Sequence, residues 1–274
     1  MARGIFSCFG RPSFFPRTTT ASSSSSATAD ESSEEARRCG PVVVELFSSQ
    51  GCATSPVAEL VVSRLARGDF DLEMPVVVLA YHVDYWDYAG WKDPFGSSLW
   101  TVRQKAYVEA LRLDTMFTPQ VVVQGRSHCL GNDEEALLAT INAAPRFPAL
   151  AFQATFAMTE PQTLQVSLTG SMRSKAGTDE ANVMVALYES GAVTDCPGGE
   201  NKGKVLSNDF VVRKLEKLCS VEDIMIGKKS VNEVVNFSLW EGFNRCKCGA
   251  AVFVQNSQHH VFGSQSFKLP DNLS

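Results

Sequence analysis

At 274 residues, with 44% hydrophobic and 20% charged side chains, the chain is long enough for two domains that each bury a core. Its formal net charge of −5, with the signs interspersed, lacks the basic footprint of a nucleic-acid binder. No apolar run reaches the length of a membrane span, and the longest, Val76 to Tyr81, reads as a buried strand in a soluble protein.

Residues 1–39 differ in kind. Ser22 to Ser26 form a homopolymer that is followed by Asp30-Glu31 and Glu34-Glu35, a composition that cannot pack a core and is expected to be disordered. Up to Ala29 this segment carries Arg3, Arg11 and Arg17 but no acid, a bias shared by organelle transit peptides and plain low-complexity tails. Gly4 to Phe9 is too short and polar for a secretory core. The expected location is therefore the cytoplasm, with a plastid as the alternative, and its thiols are expected to be free. Position two is not glycine, which excludes myristoylation, while Cys8 among aromatics is an acylation candidate.

A strand over Val42–Phe47, a polar turn Ser48-Ser49-Gln50-Gly51 and then Cys52-Ala53-Thr54-Ser55-Pro56 opening a helix place a cysteine where a strand hands over to a helix. Unpaired N–H groups and the partial positive charge at a helix start stabilise a thiolate. The alternative for Cys52 is a small buried hydrophobe, and the local context favours the reactive sulfur. The helix shows Val57, Leu60, Val61 and Leu65 on one face, ends at Gly68, and leads to a second buried strand, Pro75 to Ala80.

The insertion His82 to Pro94 follows. With Tyr85, Trp86, Tyr88 and Trp91 it is too aromatic for disorder, and loops of this length that are not disordered are functional. A helix from Ser98 shows Leu99, Val102, Ala106, Tyr107, Ala110 and Leu111 at helical spacing. Thr118-Pro119 precedes a strand Gln120 to Val123, Gln124-Gly125 is a hairpin turn into a short strand through Cys129, and Asn132-Asp133-Glu134-Glu135 caps a last helix, Leu137 to Asn142. The order β-α-β-α-β-β-α defines an α/β domain over 40–147.

Beyond it the period becomes two. Leu150, Phe152, Ala154, Phe156 and Met158 alternate with smaller or polar residues, as do Leu164, Val166 and Leu168, and Val183-Val185-Leu187, Val235-Phe237-Leu239 and Ala251–Val254 continue the pattern. These strands predict an antiparallel β-sandwich over 148–274, with Val211 to Leu218 readable as strand or helix.

The helix-start cysteine and the proline directly before the third strand resemble the thioredoxin fold, in which that proline is cis and faces the active sulfur. The strings Val44-Glu45-Leu46-Phe47-Ser48-Ser49-Gln50-Gly51-Cys52, His82-Val83-Asp84-Tyr85-Trp86-Asp87-Tyr88-Ala89-Gly90-Trp91-Lys92-Asp93-Pro94-Phe95 and Arg103-Gln104-Lys105-Ala106-Tyr107 are similar to the thioredoxin-like family catalogued as domain of unknown function 1223, found in bacteria and plants. Gly199-Glu200-Asn201-Lys202-Gly203 and Val211-Val212-Arg213 extend the likeness to the second half, and the resemblance implies a plant member. It implies a fold but no reaction.

Ser55 stands where the family usually carries a second cysteine, and a hydroxyl cannot resolve a mixed disulfide. The expectation is monothiol exchange: Cys52 attacks a disulfide and a second thiol such as glutathione releases it. No resident cofactor is expected. Thr118 and Pro119 then shape the groove, and His82, Asp84, Tyr85, Trp86, Asp87 and Trp91 contact the substrate, with Asp93 a further acid of the insertion. Cys129 is either a resolving thiol or, preferentially, a structural one. The competing reading of the insertion is an aromatic lid over the sheet edge.

Cys196, Cys219, Cys246 and Cys248 lack the paired knuckles of zinc sites, so no metal is assigned. His259-His260 is expected at a hairpin tip. The expected partner is a small molecule or protein bearing a thiol or disulfide, and nothing in the pattern specifies an oligomeric state. A catalytically silent thioredoxin-fold binding module and, third, a metal-binding protein are the alternatives.

Overall fold

Strand β1 (Val42–Ser48) is buried at every position, which requires cover on both faces of its sheet. The computed structural model, which describes residues 39–171, 180–226 and 230–272, shows what supplies that cover. The expectations for the amino-terminal tail, including Cys8, lie outside the described residues. Pairing begins at Cys39, the last residue of the expected tail, which bridges Pro148 while the Gly40 N–H donates to the Phe147 carbonyl at 2.7 Å.

From β1 the chain runs through α1 (Ser55–Arg67), β2 (Val76–His82), a 3-10 turn at Asp87–Ala89, α2 (Ser98–Ala110), β3 (Gln120–Val123), β4 (Ser127–Leu130) and α3 (Glu134–Asn142). The second half holds β5 (Ala151–Glu160), β6 (Thr163–Ser171), β7 (Asn182–Glu189), β8 (Ala192–Cys196), β9 (Lys204–Asn208), β10 (Val211–Ser220), α4 (Val221–Ile226), β11 (Ser230–Ser238), β12 (Cys248–Gln255) and β13 (Val261–Lys268). The ambiguous stretch at Val211 is thus a strand, held by antiparallel pairing with β7.

Eight strands make one mixed sheet in the order β13-β12-β7-β10-β2-β1-β3-β4. β1 lies parallel to β2, Val42 opposite Val76, and antiparallel to β3. β10 joins β2 in parallel through Val211 and Ala80. Strands from both sides of the expected 147/148 boundary therefore share one sheet, because β2 offers an open edge that β10 fills. Two antiparallel sheets complete the fold, β11-β6-β5 and β8-β9. The fold is mixed α/β with a large mixed sheet. The second half is not a self-contained antiparallel sandwich: β5, β6 and β11 pack on β7 and β12 of the large mixed sheet, which they share with the first half.

Strand alternation sorts the core. Val42, Val44 and Leu46 face α1 and α3, while Val43 and Phe47 face Trp100 and Tyr107 of α2. On β12, Ala250, Val252 and Val254 meet Phe156, Leu164 and Phe237 of the three-stranded sheet, and Ala251 and Phe253 point the other way into the α2 layer. Burying one such large apolar side chain contributes roughly 1.5–3 kcal/mol.

Two helices turn differently from the apolar reading. In α1 the buried residues are Ser55, Ala58, Glu59, Val61, Val62, Ser63 and Leu65, with Val57 and Leu60 exposed. In α2 they are Trp100, Gln104 and Tyr107, with Leu99 and Val102 exposed. In α1 the inward acid Glu59 faces His82, and in α2 the cause is a charge in the sheet. Glu45 sits between Val43 and Phe47 on the α2 face of β1, wholly buried, and takes 2.8 and 2.6 Å hydrogen bonds from Arg103 and another from the Tyr107 hydroxyl. A buried carboxylate must be paired, so the helix presents its polar residues inward.

The Gln124-Gly125 turn has positive φ at both residues, 52° and 66°, as the hairpin reading requires. A Cβ on Gly125 would lie 1.9 Å from the His259 carbonyl oxygen, in the β12–β13 connection where His259-His260 was expected to form a tip.

Candidate functional site

The turn between β1 and α1 is fixed by hydrogen bonds from three directions. Within it, Cys52 N–H donates to the Ser49 carbonyl at 3.1 Å and Gly51 N–H to Ser49 Oγ at 3.1 Å. From the insertion, Asp93 Oδ2 accepts the Gln50 N–H at 2.7 Å and the Trp91 indole donates to Gln50 Oε1 at 3.1 Å. From the second half, Asn201 Nδ2 donates to the Gln50 and Cys52 carbonyls at 2.8 and 2.9 Å, and Gln50 Nε2 donates to Asn208 and Thr194.

The helix starts at Ser55, so Cys52 lies three residues ahead of it rather than inside its first turn. Thr54 is the N-cap residue but makes no capping bond, and its hydroxyl lies 3.4 Å from Cys52 Sγ instead. The thiol donates to the Thr118 carbonyl at 3.6 Å. The Thr118-Pro119 peptide is cis. Trp86 Nε1 donates to Thr118 Oγ1 at 2.7 Å, which leaves the Thr118 hydroxyl proton free to point at the sulfur. Burial pushes the Cys52 thiol up, but the hydroxyls of Ser55, Thr118 and Thr54 outweigh it and hold the thiol below its ordinary value. The sulfur's residue is 3% exposed, while its neighbours Ala53 and Thr54 are exposed.

The expected contact residues divide. Trp86 and Tyr85 stay with the sulfur: a Cβ on Gly51 would meet Trp86 Cβ at 2.9 Å, and Trp86 stacks on Tyr88, which is 83% exposed. Burial pushes the Tyr85 phenol up to about 12, against the pull of Gln104 and Thr118 and with the help of the Cys52 charge, so it stays protonated. Trp91 holds Gln50. Asp84 accepts from the Thr101 hydroxyl at 2.6 Å, and Asp87 accepts the Asp93 N–H at 3.2 Å, so both shape the insertion.

His82, expected to face a ligand, is wholly buried. Its Nδ1 lies 2.7 Å from Asp93 Oδ2 and its Nε2 lies 3.2 Å from Glu59 Oε1. Burial alone would push the imidazole down, but the two carboxylates raise it to about 10, so His82 is a buried cation. The same cation, with the Gln50 and Phe95 N–H groups, overcomes burial and holds the Asp93 carboxyl below its ordinary range. The reason for the difference is local. β2 runs one residue past its apolar stretch, and the sheet end there is closed by α1 and the insertion.

Cys129 on β4 packs against the α1 and α3 layer, and burial pushes its thiol up. That setting is structural. Cys196 ends β8, Cys219 lies on β10, and Cys246 and Cys248 precede and begin β12; burial pushes Cys219 up to about 11 and Cys248 up to about 12. Among the described residues no three His, Cys, Asp or Glu side chains converge as a metal site. No described helix is long and apolar enough to cross a membrane.

Glu59 and Asn201 escape a reading by apolar period. Glu59 had one signal, a lone acid amid Ala58, Leu60, Val61 and Val62, and Asn201 had its place in the Gly199–Gly203 string that carries the family likeness, which gave it no role.

No curated protein matches the chain. Among solved structures it is similar to protein AGR_C_4864 of Agrobacterium tumefaciens, with a TM-score of 0.57 and 25% identity over 85% of this chain and 96% of that one. It is also similar to HBP35 of Porphyromonas gingivalis, with a TM-score of 0.60 and 12% identity over 86% and 77%, a likeness of fold alone. A family model described as protein of unknown function DUF1223 matches residues 43–255, and the chain belongs to that family.

Proposed function

We propose that this is a thioredoxin-like protein whose Cys52 performs monothiol exchange. The observation that carries the reading is the surround of Cys52 Sγ: the Thr54 hydroxyl at 3.4 Å, the Thr118 carbonyl at 3.6 Å from a cis Thr118-Pro119 bond, and a thiol held below its ordinary value. The strand order β2-β1-β3-β4, with β1 and β2 parallel and β3 and β4 antiparallel, supports the thioredoxin-like assignment.

In the proposed step the Cys52 thiolate attacks one sulfur of a disulfide, forming a mixed disulfide as the other sulfur leaves as a thiolate. A second thiolate, such as that of glutathione, then attacks the substrate sulfur of that bond, so Cys52 departs as thiolate and a new disulfide is released. Ser55 cannot take the second role. Its hydroxyl accepts the Ser49 N–H at 3.3 Å and helps stabilise the Cys52 charge. Trp86 and Tyr88 offer an aromatic ledge beside Thr118 for the partner. A cytoplasmic or plastid compartment, proposed from the amino-terminal composition, would keep the thiol reduced.

The 3% exposure of Cys52 favours a second reading, a binding module without turnover. Iodoacetamide labelling against pH separates the two. Exchange predicts a midpoint clearly below 8.5, the free-thiol value, and Cys52→Ser abolishing glutathione-linked disulfide reduction with the fold intact. Activity retained in that variant would refute the assignment, and a protected thiol of ordinary midpoint would favour the module.

A further inference from the structure

A cavity of about 260 Å³ opens between the end of β1, the first turns of α1 and the end of β9, lined in part by Ser48, Ser55, Glu59, Ser63, Asn208 and Asp209. Cys52 is not part of its wall. Glu59 is 3% exposed, and neither of its carboxylate oxygens accepts a hydrogen bond. Its Oε1 lies 3.2 Å from His82 Nε2, an ion pair by distance but without hydrogen-bond alignment. The Ser48 hydroxyl, wholly buried, also lacks a partner.

The other polar groups of the wall are engaged. Ser63 donates to Asp209 and accepts from Arg67 at 2.7 Å, Asp209 Oδ1 accepts the Gly191 N–H at 2.7 Å, and Asn208 Oδ1 accepts from Gln50 at 2.8 Å. Arg67 also lines the cavity, half-exposed at its rim, with its charge shared between Ser63 and Asp69, which lies at 3.4 Å. The buried cluster behind the wall holds two carboxylates, Glu59 and Asp93, against one imidazolium, His82. A buried carboxylate with empty lone pairs is costly unless a donor meets it.

We infer that this cavity binds the ammonium group of a small primary amine, held by the Glu59 carboxylate, whose oxygens accept no aligned hydrogen bond from His82, and by the Ser48 hydroxyl. An ammonium carries three donors and one positive charge, matching the acceptors and the charge left over. The volume lies below the usual range of roughly 300–1,000 Å³ for drug-sized ligands, so the amine is short. Pro56, Leu60 and Val205 supply an apolar wall for its stem. A metal ion is the poorer match, because no third His, Cys, Asp or Glu joins Glu59 in a metal-binding group among the described residues.

The test is an NMR titration of the ¹⁵N-labelled full chain with ethylammonium chloride, propan-1-ol and potassium chloride. Saturable shifts at the Ser48, Ser63 and Asn208 amides with ethylammonium alone are expected. Glu59→Gln should weaken that binding about tenfold or more, the loss of one charge-assisted bond. Equal saturation with propanol or potassium, no saturable shift, or unchanged binding by Glu59→Gln would overturn the proposal. Should Glu59→Gln not fold, Ser48→Ala carries the test with a loss of about fivefold, and no loss there overturns it. Cys52→Ala is expected to bind ethylammonium as the wild type does, so this proposal and the thiol reading fail separately.

Discussion

Two buried ionic clusters flank the central strands, and they are built to opposite standards. On the α2 side the Glu45 carboxylate is met by two bonds from Arg103 and one from Tyr107, with Gln255 bridging Tyr107 and Arg103 at 2.9 and 3.2 Å and the Tyr81 ring 5.2 Å from the guanidinium, and only the neutral Tyr81 hydroxyl of this group lacks a partner. On the α1 side, Glu59, His82 and Asp93 leave acceptors without donors at a cavity wall. Closed polar networks specify packing, whereas incomplete ones mark where something else is meant to bind. The first cluster locks α2 to the sheet, and the second leaves its charge available at the turn that carries Cys52.

The largest effect should come from breaking the closed cluster. Arg103→Met strands the Glu45 carboxylate in the core and is expected to cost about 3–5 kcal/mol in a urea titration. A loss under 1 kcal/mol would mean that Glu45 is neutral or solvated, and the contrast would fall.

Acidity separates the clusters next. Glu45, Tyr107 and Tyr81 push the Arg103 guanidinium up against the effect of burial, so Arg103 stays charged through the neutral range. The folded value of His82, about 10, exceeds the ordinary 6.5, so its contribution is complete below 6.5 and is lost as pH rises through 10. Melting temperature should therefore fall steadily from pH 6.5 to 10 in the wild type, and His82→Phe should flatten that slope. An equal slope in both proteins would show that His82 is neutral in the folded state.

A smaller effect tests how the turn is held. Asn201→Ala leaves the Gln50 and Cys52 carbonyls without their donor and is expected to cost about 2 kcal/mol while speeding iodoacetamide labelling of Cys52. Unchanged labelling would show that the turn holds itself. The smallest change is Trp86→Phe, which removes the bond to Thr118, costs about 1 kcal/mol, and raises the labelling midpoint of Cys52. A midpoint that stays in place would remove Trp86 from the tuning of the sulfur.

The sequence made some of this visible and hid the rest for identifiable reasons. Val42–Phe47, Pro75–Ala80, the Gln124-Gly125 turn and strands β5, β6, β7, β11 and β12 follow directly from apolar runs and alternation, whereas β8, β9 and β13 carry too little of that pattern to be read. The faces of α1 and α2 were misread because hydrophobicity was taken as the mark of burial. Trp100, Arg103, Gln104 and Tyr107 recur at i, i+3, i+4 and i+7, and the isolated Glu45 inside Val42–Phe47 was the matching signal on the strand. His82 was placed among the ligand contacts since its two acids come from α1 and from beyond the 3-10 turn, a convergence that only the tertiary fold creates. The Asn201 contact spans 149 residues to the Cys52 carbonyl and has no local trace.

The backbone pairing of β2 and β10 is short: one register pair, Val211 with Ala80, where the Ala80 N–H donates to the Phe210 carbonyl at 2.8 Å. If the chain were cut after residue 147 and the two halves then came apart, β2 would lose this neighbour. The amino-terminal fragment would then carry a raw strand border into solution, a template on which identical fragments stack. Proteolytic damage should thus be read out as precipitation before it is read out as lost chemistry.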